Sequence, residues 1–207
     1  MATFADFMPH ILPYASGCSY PMAEQHLRAI LLDFCMHAPI VQEKLDPIDV
    51  LAGQREYELD MPQGCDVGHI LQAQLRTQRL AISVFSASEQ LTPLSSTPRA
   101  VQQGAGNSLL FDSVPVESVP QALHLLVSTK PARNANRVAD ILLGDYGYEI
   151  GQGVVGRLLL IPGQAFSAPG LSAIYTQTYL TARTNARIRA ERGFGMTGLR
   201  ALPRRFM

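Results

Sequence analysis

Apolar residues along this chain follow two different periods, and the switches between them divide it into three stretches. Residues 4–21 carry Pro9, Pro13 and Pro21 and read as short turns leading into a helix. From Met22 to Ala38, the residues Ala23, Leu27, Ile30, Leu31, Phe34 and Ala38 recur at helical spacing, with Glu24, Gln25, Arg28 and Asp33 largely opposite. Pro39 stops that helix. The pattern then becomes that of strands at 41–45, 55–59, 69–75, 79–85, 109–111 and 122–128. Residues 89–108 are polar and broken by Pro and Gly, which predicts an exposed loop, and Pro115 and Pro120 mark an edge or a connection. After Pro131 the helical period returns. Asn136 is placed to cap a short helix bearing Val138, Ile141 and Leu142, which Gly144 ends or bends. Tyr146, Ile150, Val154 and Leu158 repeat every four residues up to Pro162. Pro169 opens a last long helix with a stripe of Leu171, Ile174, Tyr175, Thr178, Tyr179, Ala182 and Ala186, flanked by Arg183 and Arg187, and Gly193 and Gly195 close it.

This order predicts an α+β fold: a helical bundle with an inserted small antiparallel β subdomain and an extended C-terminal arm. The bundle is expected from 1–39 and 131–192, the β insertion at 40–130, and the arm at 193–207, so that 1–192 form a single domain.

Composition narrows the function classes. At 207 residues with 47% hydrophobic and 16% charged positions, the chain is long enough for one well-buried core. No apolar run approaches membrane-spanning length, so no membrane is expected as a partner. The N-terminal residues carry an acid and no basic flank, which argues against a secretory signal and for synthesis in the cytoplasm. Cys18, Cys35 and Cys65 are widely spaced and odd in number, as buried thiols are rather than a disulfide framework or zinc site.

The net charge of zero hides a partition. Residues 1–182 hold 10 Lys+Arg against 16 Asp+Glu, whereas residues 183–207 hold seven Arg against Glu191 alone. A basic end on an acidic body predicts a segment that meets an acidic partner, nucleic acid or a neighbouring copy. The segment 193–207 combines three glycines with Leu199, Leu202, Phe206 and the Arg204–Arg205 pair, a composition suited to ordering in a partner's groove.

Candidate chemistry is thin by comparison. Gly151, Gly153 and Gly156 match the spacing of the dinucleotide fingerprint, but no strand pattern precedes them, Pro162 ends the helix soon after, and the next acid is Glu191. Close helix packing across small residues is the expected role. His10, His26, His37, His69 and His124 form none of the usual metal-ligand spacings, and Glu56, Glu58 and Asp60 alternate along one strand face as solvated acids do. No nucleophile elbow is present, and Cys35 faces the expected core. No catalytic, cofactor-binding or metal-binding residue is assigned.

Several segments together resemble a known family. FADFMPHILP (4–13), the helix ending at Asp33-Phe34-Cys35, DPIDVLAGQREYEL (46–59), VSTKPAR (127–133), VADILL (138–143), the stretch 150–160, the helix 171–187 and PRRF (203–206) fall in one order. In that order the chain resembles the head-to-tail adaptor, or connector, proteins of tailed bacteriophages, the group related to tail tubular protein A, over nearly its whole length. The aromatic residue that the family places near the start of the last helix falls on Phe166.

The resemblance implies a virion structural protein at the head–tail junction, without catalysis. It implies a ring of twelve copies under the portal protein, joined below to a tail or nozzle protein, with genomic DNA passing through the lumen without sequence-specific binding. Arg200, Arg204, Arg205 and Phe206 would then dock on the portal, supported by Arg187, Arg189 and Arg192. The alternatives are another neck, tail-completion or terminator protein, or a cytosolic enzyme or ligand-binding protein.

Overall fold

A computed structural model describes residues 1–85 and 95–192. The chain enters through a two-residue strand, β1 (Ala2–Thr3), and the tight helical turns Phe4–His10 and Leu12–Tyr14. The Asp6 carboxylate accepts hydrogen bonds from the Thr3 amide at 2.7 Å and its hydroxyl at 2.8 Å, which satisfies donors at the start of the first turn. Helix α1 (Tyr20–His37) follows, burying Ala23, Leu27, Ile30, Leu31, Phe34 and Cys35 on the face set by their spacing. It ends where Ala38 turns extended before Pro39, as a residue preceding proline must.

Eight consecutive strands come next: β2 (Gln42–Lys44), β3 (Ile48–Val50), β4 (Glu56–Glu58), β5 (Cys65–Leu75), β6 (Gln78–Arg79), β7 (Ala81–Ile82), β8 (Ala100–Gln103) and β9 (Ser108–Phe111). The long strand β10 (Val119–Pro131) organises them. It pairs antiparallel with β5 along most of its length and with β2 and β3 on its other side, while β6 extends the sheet beyond β5. A four-stranded sheet in the order β4-β9-β8-β7 continues from it, because β6 and β7 are nearly one strand handed from one sheet to the other. The register between β5 and β10 shifts between Leu126 and Val127 and between Ser128 and Thr129. Such bulges bend and twist a strand pair, and the strands curl here into a half-barrel. Its interior is filled by Leu45, Val50, Tyr57, Val67, Ala73, Val101, Leu109, Phe111, Leu123, Leu125 and Val127 among others.

Strand β11 (Arg137–Val138) returns to pair with β1, and three helices complete the chain: α2 (Asp140–Gly144), α3 (Gly147–Leu158) and α4 (Pro169–Arg192). Together with α1 and the N-terminal turns they enclose a second core. The two halves meet where α1 lies on β10 and β5. His69 Nε2 on β5 sits 2.8 Å from the Met36 carbonyl at the end of α1. Arg28 donates to the Ala135 carbonyl, pairs with Glu24 at 2.8 Å and covers the Phe4 ring.

The architecture corrects the expectation of a helical bundle carrying a small β insert. The fold is mixed α/β, 38% helix and 28% strand in three sheets. The β half is no appendage, because it has its own core and its strands reach beyond the alternating patterns that announced them. Three local expectations change with it. Residues 100–103, assigned to an exposed loop, form β8 with Val101 fully buried, and 89–94 of that loop lie outside the described residues. Asn136 caps no helix, since 137–138 are committed to β11 and Ala139 precedes α2. On α4 the buried residues are Ser172, Tyr179, Ala186 and Ala190, so the stripe is rotated and Leu171, Ile174 and Thr178 face outward. The closing glycines 193 and 195 lie outside the described residues.

Candidate docking surface

Helix α4 is held by its neighbour α3 through missing side chains. A Cβ on Gly153 would stand 2.8 Å from the Tyr179 ring, one on Gly156 would stand 2.6 Å from Thr176 Oγ1, and one on Gly151 would meet the His10 backbone at 2.8 Å. The glycine series therefore lets α3 approach α4 and the N-terminal turns at backbone distance, and Ser172 closes the contact by donating to the Gly156 carbonyl at 2.7 Å. These glycines are buried inside a helix with no strand before it, a geometry that offers no cradle for a pyrophosphate.

The same packing delivers Tyr179 to α1. Its hydroxyl donates to Asp33 Oδ2 at 2.5 Å, and Arg183 one turn later donates to the same oxygen at 2.6 Å. Burial pushes the Asp33 carboxyl up, but these two hydrogen bonds and the charges of Arg183 and His37 outweigh it and hold the group below its ordinary value. Burial and then the Asp33 carboxylate push the Tyr179 phenol up. Sequence reading had set Asp33 on the solvent side of α1. The signal it lacked was the pairing of α1 with α4, across about 150 residues of sequence.

Towards the end of α4, the expected docking residues divide. Arg189 reaches Asp145 at 3.0 Å and the Tyr146 hydroxyl at 3.4 Å, which ties the helix to the turn before α3. Arg187 pairs with Glu191 on its own helix at 2.7 Å, an exposed contact, and Arg192 is exposed on the last turn. Arg200, Arg204, Arg205 and Phe206 lie outside the described residues. The structure thus brings Arg183 and Arg189 onto the body and leaves Arg187 and Arg192 on the surface.

The outward face of α4 was missed altogether. No charged residue occurs between Pro169 and Ala182, and Leu171, Ile174 and Ile188 are 51%, 62% and 38% exposed. A broad, shallow groove runs along this face, lined by Ile174, Gln177, Thr178, Thr181, Asn185 and the neighbouring Glu149. Nearby, Tyr14 stacks edge-on against Tyr175 with ring centroids 5.9 Å apart.

The remaining candidates do not converge. Among the described residues, no three His, Cys, Asp or Glu side chains are placed to hold a metal ion. Cys35 and Cys65 share an apolar cavity of about 160 Å3 where the two halves meet, and burial pushes both thiols up, Cys35 to about 12, so they stay protonated and weakly nucleophilic. Glu56 and Glu58 point to solvent on either side of the buried Tyr57, and Asp60 is exposed beyond them. A cleft of about 360 Å3 in the β half is bordered by Arg76 and Glu117, 3.5 Å apart. No helix among the described residues is long and apolar enough to cross a membrane. No protein-family model and no curated protein matches this chain.

Proposed function

We propose that this chain is a non-catalytic subunit of a phage particle, a head-to-tail adaptor that repeats as a ring of twelve under the portal and passes the genome through its lumen. The observation that carries the reading is the way α4 is anchored. Arg183 on Asp33 and Arg189 on Asp145 fix the last helix to the body, so the arginine-rich residues that follow it leave from a fixed point. Three further arginines for acidic partners, Arg200, Arg204 and Arg205, and the apolar Phe206 follow in sequence after the exposed Arg187 and Arg192. The body supplies the opposite charge: Glu43, Asp46, Asp49, Glu56, Glu58 and Asp60 are all exposed on the β half, where Lys44, Arg76, Arg79 and Arg99 are exposed too, and acids turned towards a lumen would repel phosphates. A ring lined by such acids works as a conduit and coupling, with a tail or nozzle protein on its far side and no turnover.

Quantitative mass spectrometry on purified virions, with the portal protein as internal standard, tests the assignment. About one copy per portal subunit, retained in tailless heads that have packaged DNA, is the expected result, and absence from particles overturns it. Truncation after Gly193 is expected to leave the melting temperature unchanged while abolishing attachment to the portal, and tailed particles assembled normally by that truncation would sink the docking role.

A further inference from the structure

The outward face of α4 has an order that solvent exposure alone does not require. Leu171, Ile174, Thr178, Thr181, Asn185 and Ile188 follow one another in alternating steps of three and four residues, the spacing of a coiled-coil seam, and all six are exposed. The buried residues of the same helix, Ser172, Tyr179 and Ala186, repeat every seven on another side. One helix therefore carries two seams, and only one is covered among the described residues.

We propose that the second seam binds the same seam of a second copy, antiparallel and two-fold, so that residues on α4 meet in pairs about a point between Tyr179 and Leu180. Leu171 then faces the partner's Ile188, Ile174 faces the partner's Asn185, and Thr178 faces the partner's Thr181. Apolar ends cover apolar ends, and the small hydroxyl residues in the middle let the helices approach closely. Charge selects this direction. The arginines of α4 all lie at 183 and beyond, so antiparallel pairing keeps the two basic ends apart, whereas parallel pairing would set Arg192, the next position of the same seam, beside the partner's Arg192. Helix α4 itself carries no charge from Pro169 to Ala182, so the two helices meet across the axis without like charges of their own, and Glu149 on α3, which borders the groove, adds a repulsion that keeps the contact weak.

Seventeen steps of helix span about 26 Å, and with a helix width of about 10 Å the seam covers roughly 300 Å2 per copy. Stable pairs bury about 800 Å2 per partner, so the contact is weak and reversible. This pairing is independent of the adaptor reading: a two-fold contact uses the same patch on both copies and closes on itself, so it cannot propagate a ring.

Sedimentation velocity of the full chain up to about 1 mM tests it. The wild type is expected to shift from monomer towards dimer with concentration, and Ile174→Glu to remain monomeric with an unchanged melting temperature. A short bismaleimide gives the direction. On a background with Cys18 and Cys65 replaced by Ser, Thr181→Cys, close to the axis, is expected to cross-link to its own copy. Ile188→Cys, about 26 Å from its counterpart in this arrangement, is expected not to. A wild type that stays monomeric at the highest concentration, an Ile174→Glu variant that associates as before, or cross-linking at 188 in place of 181 would each overturn the proposal.

Discussion

Tyr179 and Arg183 donate to one oxygen of Asp33 while His37 lies 3.4 Å from the other, and the chemistry of this carboxylate sets a pH limit on the fold. The Asp33 carboxyl is held below the ordinary value by Tyr179, Arg183 and His37 against the upward push of burial. A depressed folded-state value means stability that is fully present above the unfolded value of about 3.9 and is lost as pH falls through the folded value. Asp33→Asn is expected to cost about 2 kcal/mol at neutral pH, mostly by replacing the charged acceptor that Arg183 and the Tyr179 hydroxyl share with a neutral amide. The difference in melting temperature between wild type and variant should shrink as pH drops below about 4. A gap that stays constant down to strongly acidic conditions would show that the carboxylate is not what stabilises this junction. By contrast, Arg187–Glu191 is exposed, and a pair of that kind contributes only about 0.2–1 kcal/mol.

At the level of elements, two contacts make the fold specific. The first is the bare face of α3. Gly153→Ala would force its methyl against the Tyr179 ring, and the strain is expected to cost about 1–3 kcal/mol. Gly144→Ala at the end of α2 meets nothing within 4 Å and should be neutral or slightly stabilising, which urea midpoints will separate cleanly from the first. The second is the corner between β3 and β4. The Tyr57 hydroxyl accepts from the Leu51 amide at 3.0 Å and lies within donating distance of the Leu51 and Gln54 carbonyls, so one buried phenol pins a turn that strands do not bridge. Tyr57→Phe is expected to cost about 1–2 kcal/mol, read as a lower urea midpoint with an unchanged slope.

The elements differ in how far their sequences disclose them. Helix α1 was legible because its apolar residues and its burial share one period; α3 was legible from Ile150, Val154 and Leu158 spaced by four, although Ile150 to Gly156 are buried without a break, and the packing role of its glycines followed from the lack of a preceding strand. Helix α4 was legible as a helix but not in its orientation. It buries Ser172, Ala186 and Ala190 while exposing Leu171, Ile174 and Ile188, so apolar character does not mark its inner side. In the half-barrel, β8 spans four residues between polar neighbours, and β10 contains two register shifts that break the alternation a reader depends on. Charge alone marks Arg187, Arg189 and Arg192 in the sequence, whereas the engagement of Arg189 by Asp145, the Asp33–Tyr179–Arg183 junction and the outward seam of α4 depend on which helix meets which.

Considered as a whole molecule, the chain joins two cores through one long helix and two long strands, and its sequence sets a basic C-terminal stretch on an acidic body. If the basic end docks on the portal, attachment is electrostatic and screened by salt. Binding to tailless heads is expected to weaken markedly between about 0.1 M and 1 M salt, where the screening length falls from about 10 Å to 3 Å. Binding insensitive to salt would assign the docking to apolar residues instead. Strand β10 carries a further consequence, in the time domain. Its partners β2, β3 and β5 all precede it in the chain. The β half therefore stays open on the ribosome until residue 131 has emerged, roughly five to twenty seconds after β2 at synthesis rates of ~5–20 residues per second. Helix α1 waits longer still, because Leu27, Ile30 and Phe34 gain their cover only when α3 and α4 arrive. The first helix to be made is among the last to be buried, and nascent chains halted before residue 140 should present that face to a trigger-type chaperone.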